Sequence, residues 1–289
     1  MRRWQGHVSV FMGLRLGLIG DNIRESRAPA LHRACGRIAG INVSYDRFIP
    51  SQLGMDFRQV FGHVQKLGLA GVNLTLPYKE QVLASVEVSD PDISRIGAVN
   101  TVVFTDAGPK GFNTDFSGFV SAWKSGFGDA VPGQVVMFGA GGVGKAVAFG
   151  LERLRAGQII IVDPAREKAE ALAAAIAAGG RTRARVGAPE DVARADGLVN
   201  CTPLGMVGYG GTPLPEHSLG QPRWAFDAVY TPVDTPFRAQ VEAAGAAFLS
   251  GFELFFHQGV DAFEIFTGIR IDDHPALRAS LALPADGGV

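Results

Sequence analysis

The sequence predicts an α/β protein of two domains, and three observations carry that prediction. Strand-like and helix-like segments alternate along most of the chain, the pattern of sheets covered by helices. The alternation pauses after Phe119 and begins again near Val135. The 289 residues, 47% of them apolar, suffice for two cores, since a domain takes roughly 100–200 residues.

In the first half, Leu14 to Ile19, Val43 to Phe48, Gly71 to Leu74 and Val99 to Phe104 read as strands. Pro29 to Ala39, Phe57 to Leu67 and Gln81 to Val86 fall between them as helical segments. This order predicts a mostly parallel sheet with helices on both faces.

The second half opens with the apolar, β-branched run Val135-Val136-Met137-Phe138, which fits a strand buried on both faces. It runs into Gly139-Ala140-Gly141-Gly142-Val143-Gly144 and then a helix-like stretch from Lys145 to Leu154. Gly139 allows a sharp turn, and Gly141 lacks the Cβ that would hold a pyrophosphate away from helix N–H groups. Gly144 lets the helix pack closely on the sheet. The strand Gln158 to Val162 ends at Asp163, nineteen residues beyond Gly144, where a dinucleotide-binding unit carries the acid for the adenosine ribose. An alanine-rich helix from Ala165 to Ala178 and strands at Gly197 to Asn200 and Ala225 to Val229 complete a Rossmann-type domain. Glu253 to Gly268 is amphipathic with helical spacing and no strand after it. The expected organisation is a substrate-binding and catalytic domain over 1–119 with helices from 254–289, a dinucleotide domain over 120–253, and a cleft between them.

Composition narrows the partners. With 27 basic and 28 acidic residues the net charge is −1, so there is no basic footprint for nucleic acid. No apolar run reaches the roughly 18 residues of a membrane span, and Met1 to Gly13 has no signal-peptide core, so a cytoplasmic protein is expected. Cys35 and Cys201 are too few for a disulfide framework and have no metal-ligand spacing, so both read as reduced thiols and no metal is expected.

Three polar segments follow strand-like runs, where cleft loops would lie: Ser26, Asn73 to Lys79, and Gly111 to Asp115. Pro77 stiffens the turn before Lys79, although most lysines are simply solvated. Asp115 sits where an Asn-Thr-Asp run would also cap a helix.

Taken together, Glu25-Ser26-Arg27-Ala28-Pro29, Asn73 to Lys79, Gly97-Ala98-Val99-Asn100-Thr101, Asn113-Thr114-Asp115 and Gly139 to Gly142 resemble the shikimate/quinate dehydrogenases. The same holds for Asn200-Cys201-Thr202-Pro203-Leu204-Gly205-Met206, Asp227 to Pro232 and His257-Gln258, so the resemblance runs from about Leu16 to Gly268. It implies an NAD(P)-dependent alcohol dehydrogenase that reversibly oxidises a ring alcohol of quinate, shikimate or an analogue such as an aminoshikimate to the 3-dehydro ketone. Lys79 and Asp115 would be the catalytic pair. Ser26, Thr75, Asn100, Tyr230 and Gln258 would join them around a cyclic polyhydroxy carboxylate. The cofactor would meet Gly139 to Gly144, Asp163, Lys168, Thr202, Pro203, Leu204, Met206, Val229 and Gly251. A monomer or homodimer is expected. The alternative on the same fold is a non-catalytic dinucleotide sensor.

Alcohol oxidation by hydride loss needs a base for the hydroxyl proton, which suits Lys79. An adjacent Asp115 carboxylate would favour the ammonium form, so the proton belongs to the two groups as a coupled unit. Two departures from the family pattern stand out. Ala28 replaces a second hydroxyl residue that usually helps grip the substrate carboxylate. Asp163-Pro164 replaces the neutral residue and arginine of NADP users, so a carboxylate that repels a 2′-phosphate favours NAD over NADP. Arg166 and Lys168 lie near enough in sequence to soften that repulsion.

Overall fold

A computed structural model describes residues 13–215 and 219–281. The expectation that Met1 to Gly13 has no signal-peptide core therefore falls, but for Gly13, outside the described residues, as does 282–289 of the expected 254–289 segment. The chain forms two compact units. One holds the residues up to Thr114 and again from Gln258, and the other runs from Asp115 to His257. These divisions fall inside two continuous helices, Thr114–Phe127 and Gly251–Thr267, rather than at the expected 119/120 and 253/254. A boundary that passes through a helix leaves no turn or linker signal in the sequence.

The first unit carries β1 (Leu14–Ile19), α1 (Ala28–Ala39), β2 (Val43–Phe48), α2 (Pro50–Leu53), α3 (Phe57–Lys66), β3 (Gly71–Leu74), α4 (Pro91–Ile96), β4 (Thr101–Thr105) and β5 (Gly108–Phe112). Its sheet runs β2-β1-β3-β4-β5. β1 is parallel to β2 and β3, whereas β3–β4 and β4–β5 are antiparallel, which corrects the expectation of a mostly parallel sheet. For β4 and β5 the cause is a tight hairpin: Gly108, at φ +115°, lets β4 fold straight back as β5, a strand the sequence reading did not place. Beyond β5 the chain adds a short parallel bridge, with the Glu87 N–H donating to Pro109 O (2.9 Å) and the Gly111 N–H to Glu87 O (2.8 Å). The helical segment expected over Gln81 to Val86 is a short 3-10 helix, Gln81–Ser85. α3 opens with a capping box between Asp56 and Gln59 and buries Val60, Phe61 and Val64 against Val72 and Val102.

The second unit begins in α5 (Thr114–Phe127) and continues through β6 (Gln134–Phe138), α6 (Gly142–Arg153), β7 (Gln158–Val162), α7 (Arg166–Ala177), β8 (Arg183–Val186), β9 (Gly197–Asn200), β10 (Trp224–Asp227), α8 (Pro236–Ala243), β11 (Ala247–Ser250) and α9 (Gly251–Thr267). A final α10 (His274–Ser280) belongs to the first unit. The strands run β11-β10-β9-β6-β7-β8, all parallel. Strand order reverses between β6 and β9, the position at which open α/β sheets bind ligands beyond their strand C-termini. One face buries Val136, Ile160, Leu198 and Ala225 with Phe237 and Val241 of α8, and Phe119 of α5 packs edge-on against Phe226 at 5.1 Å. β8, α8 and β11 were not anticipated; β8 (Arg-Ala-Arg-Val) is polar on alternate residues and too short to stand out.

Among the described residues no helix is long and apolar enough to cross a membrane, and no cluster of His, Cys, Asp or Glu could hold a metal ion.

Candidate active site

The turn between β6 and α6 has the geometry its glycines foretell. Gly139 lies at φ +97°, and a Cβ there would come within 2.7 Å of the Cys201 carbonyl oxygen. A Cβ on Gly144 would strike the Gly139 carbonyl, so this glycine accommodates the turn's own backbone rather than the sheet. At Gly141 a Cβ would meet nothing. Gly141 is also the N-cap of α6 and has no side chain to occupy the first helical N–H groups. Open space in front of the first N–H groups of α6 fits a pyrophosphate.

Asp163, just after β7, binds both sides of this turn. Its Oδ2 accepts from the Ala140 N–H at 2.7 Å, and its Oδ1 from the Ala165 N–H at 2.8 Å. The carboxylate is therefore a brace of the glycine turn as well as a candidate ribose acceptor. Lys168 is exposed in the first turn of α7, whereas Arg166 is paired with Glu170 at 2.8 Å on the open surface.

The loops after β9 and β10 are held by a buried polar chain. Asn200 and Asp227 end adjacent strands and are wholly buried. Asn200 Nδ2 donates to Asp227 Oδ1 (3.0 Å) and to Leu204 O (3.1 Å), while its Oδ1 accepts from Thr202 N–H (3.0 Å) and Oγ1 (2.6 Å). Asp227 Oδ1 also accepts from the Val229 N–H (3.0 Å), and Oδ2 from Thr235 Oγ1 (2.6 Å). Burial pushes the Asp227 carboxyl up to about 6, against the opposing pull of its three hydrogen-bond donors. Burial, with the negative charges of Asp227 and Asp115, holds the Cys201 thiol protonated. A Cβ on Gly251 would come within 2.5 Å of the Asp227 and Ala228 carbonyls, which explains a glycine at the start of α9. Pro203 is exposed, Met206 half-buried, and Tyr230 stacks on Phe255 at 5.3 Å between ring centres.

In the first unit, Asn100 organises the polar residues that follow the strands. Its Oδ1 accepts from the Thr114 N–H (2.7 Å) and from Thr101 Oγ1 (3.0 Å), and Thr114 Oγ1 reaches Gln258 Oε1 (3.4 Å). Asn73 bridges Tyr45 Oη (2.9 Å) and Thr101 Oγ1 (3.0 Å). Its neighbour His32, stacked on Tyr45, is fully buried, and burial lowers its pKa to about 3, so it is neutral. Thr75 and Tyr78 close the turn before Lys79 (Tyr78 N–H to Thr75 O, 2.9 Å), with Leu76–Pro77 in the cis form. Lys79 is not a solvated lysine: it is only 9% exposed, and its carbonyl accepts from the Val99 N–H at 2.8 Å. Asp115, where the second unit begins, is 6% exposed and lies in the first turn of α5, whose Thr114 N–H is taken by Asn100; Asn113 bonds the Ala98 carbonyl instead. Ser26 Oγ accepts from the Ala28 N–H at 3.3 Å, which leaves the hydroxyl proton available for another acceptor.

Asn200 and Asp227 were visible only as members of longer motifs. The available signal was a polar residue closing an otherwise apolar strand, in Gly-Leu-Val-Asn and Trp-Ala-Phe-Asp.

Residues 18–102 match the shikimate dehydrogenase substrate binding domain. The chain is 39% identical over 271 residues to a quinate/shikimate dehydrogenase (NAD(+)) of Corynebacterium efficiens, covering 89% of this chain and 94% of that protein. It is 39% identical over 276 residues to a shikimate dehydrogenase (NADP(+)) of Streptomyces avermitilis, covering 92% and 94%. Among solved structures, it superimposes on quinate dehydrogenase from Corynebacterium glutamicum in complex with NAD with a TM-score of 0.85 at 36% identity, over 94% of this chain and 99% of that one. A shikimate 5-dehydrogenase of Thermus thermophilus with NADP(H) and shikimate gives 0.81 at 32%, over 93% and 98%.

Proposed function

Because the chain belongs to the quinate/shikimate dehydrogenase family, we propose that it reversibly oxidises a ring secondary alcohol of quinate, shikimate or a close analogue to the 3-dehydro ketone, using NAD in preference to NADP. We further propose that it acts in the cytoplasm, as a monomer or homodimer. The observation that carries the cofactor reading is Asp163, a carboxylate fixed at the C-terminal end of β7 beside the glycine turn. There it accepts hydrogen bonds from ribose hydroxyls and repels a 2′-phosphate. The NAD-named relative and the NAD-bound quinate dehydrogenase support the same reading, while NADP-named relatives of equal identity make the cofactor a point to measure.

NAD supplies the hydride acceptor when bound. The residues for it are Gly139 to Gly144 at the pyrophosphate, Asp163 at the ribose, with Lys168 alongside, and Thr202, Pro203, Leu204, Met206, Val229 and Gly251 along the remaining wall. Lys79 takes the hydroxyl proton as the hydride leaves carbon, and Asp115 shares that proton as the other half of the coupled pair. Ser26, Thr75, Asn100, Tyr230 and Gln258 orient the polyhydroxy acid. Initial rates with quinate, shikimate and aminoshikimate, each with NAD and NADP, test the proposal. The expected result is turnover of at least one of these acids with a higher kcat/KM for NAD. Absence of turnover on all three at high enzyme concentration would favour a ligand sensor instead.

A further inference from the structure

We infer that Asp227 is a positioning residue for the nucleotide site: through Asn200 it sets the Cys201–Thr202 peptide against which the glycine turn is seated. The inference rests on the proposed use of these loops for NAD, and it adds a residue that touches neither cofactor nor substrate.

The connection can be followed atom by atom within one sheet. Asp227 Oδ1 accepts from Asn200 Nδ2 (3.0 Å), and Asn200 Oδ1 accepts the Thr202 N–H (3.0 Å) and hydroxyl (2.6 Å). The Cys201 carbonyl and Thr202 nitrogen are in turn the atoms nearest the missing side chain of Gly139, at 2.7 and 3.1 Å from its would-be Cβ. A shift of this peptide toward β6 therefore presses on the turn whose open side, at Gly141, fits the pyrophosphate. The other arms of the carboxylate reach the second loop, through the Val229 N–H (3.0 Å) and Thr235 Oγ1 (2.6 Å). Thr235 Oγ1 also accepts the Arg238 N–H at the start of α8 (3.1 Å). Two loops that leave neighbouring strands are thus set by one buried group.

A carboxylate suits this place because it only accepts, and all three groups that face it can donate. Such a fully satisfied buried network fixes one arrangement rather than several. Nothing in it is a proton donor or acceptor for the reaction itself, so its loss should appear in nucleotide affinity rather than in the chemical step.

The test uses the full chain and NAD. Asp227→Ala removes both acceptor oxygens and with them all three hydrogen bonds, and it should raise the Kd for NAD by about tenfold or more, because the loss of even one hydrogen bond to a charged group is on the scale of a tenfold change in an equilibrium. At saturating NAD, kcat should stay within about twofold of wild type. Asp227→Asn retains one oxygen for Asn200 and Val229 and should recover most of the affinity. Asn200→Ala breaks the same chain one link later and serves if Asp227→Ala does not fold; combined with Asp227→Asn it should cost little more than alone. Faster amide hydrogen exchange at Thr202 and Val229 in the folded variants should accompany the weaker binding. Folded variants with lowered Tm but wild-type Kd would make the network purely structural and overturn the inference. Wild-type protein that binds neither NAD nor NADP would instead refute the proposed function, before any variant is compared.

Discussion

Replacing Asp163 by serine separates two roles that one carboxylate holds at once. As a charge it opposes a 2′-phosphate: unit charges about 5 Å apart interact by roughly 1 kcal/mol in water-like surroundings and 3 kcal/mol at an effective dielectric near 20. Asp163 is half-buried, between those limits, so removing the charge should shift the cofactor preference toward NADP by about 5- to 100-fold. As a brace it accepts the N–H groups of Ala140 and Ala165 at 2.7 and 2.8 Å. Losing charged acceptors costs about 1.5–3 kcal/mol each at most, less here because water can reach the site. That second loss loosens the turn for either nucleotide and cancels in a ratio. The assay is kcat/KM for both cofactors in wild type and Asp163→Ser: activity with NAD should fall, and the NADP/NAD ratio should rise at least fivefold. An equal fall with both cofactors, at an unchanged ratio, would show that Asp163 only braces the turn and does not select the cofactor.

Lys79→Ala should lower turnover by roughly 10²–10⁴ with the Kd for NAD unchanged, and a variant keeping more than about half of wild-type turnover would remove the lysine from the chemistry. Asp115→Asn should do similar damage; a lower Tm with intact turnover per folded molecule would make it merely a helix-start residue. Ala28→Ser, at the first position of α1 where serine is well tolerated, should add a donor for the substrate carboxylate and lower KM about fivefold with kcat level, whereas weaker binding would point to a substrate with a different group at that end. Gly144→Ala drives a methyl group into the Gly139 carbonyl and should cost about 1–3 kcal/mol in thermal unfolding. Gly141→Ala meets nothing in the protein, so it should cost no more than a weakened N-cap, about 1 kcal/mol in thermal unfolding, and weaken NAD binding by titration. A Gly141→Ala protein that binds NAD normally would mean that the phosphate does not lie there.

The nucleotide unit was the more legible half because burial on both faces writes long apolar runs, such as Val135 to Phe138 and Ile159 to Val162, directly into the sequence. Its glycines announced a backbone turn that admits no Cβ at Gly139 and Gly144. The antiparallel end of the other sheet was harder to see, because β5 (Gly-Pro-Lys-Gly-Phe) contains almost no strand-forming residues and exists through pairing with β4. Burial of Lys79 was equally invisible, since a lysine after a proline turn reads as solvated until the tertiary structure covers it. The hydrogen bonds of Asp227 come from two loops, Val229 and Thr235 on its own and Asn200 on the neighbouring one, and only folding brings Asn200, 27 residues away, to this carboxylate.

That weakly strand-forming β5 has a consequence for the edge of its sheet. An outermost strand ordinarily offers a row of bare backbone groups on which another chain can assemble, the first step of sheet-to-sheet aggregation. Here Pro109 has no N–H to offer, and Glu87 has already claimed the Pro109 carbonyl and the Gly111 N–H. At the opposite end of the same sheet, β2 carries exposed Asp46 and Arg47, and Arg33 donates to the Tyr45 carbonyl at 3.1 Å. Each border of this five-stranded sheet is thus guarded, one by a proline and a covering segment and the other by charge, so neither edge presents a bare strand as a template for another.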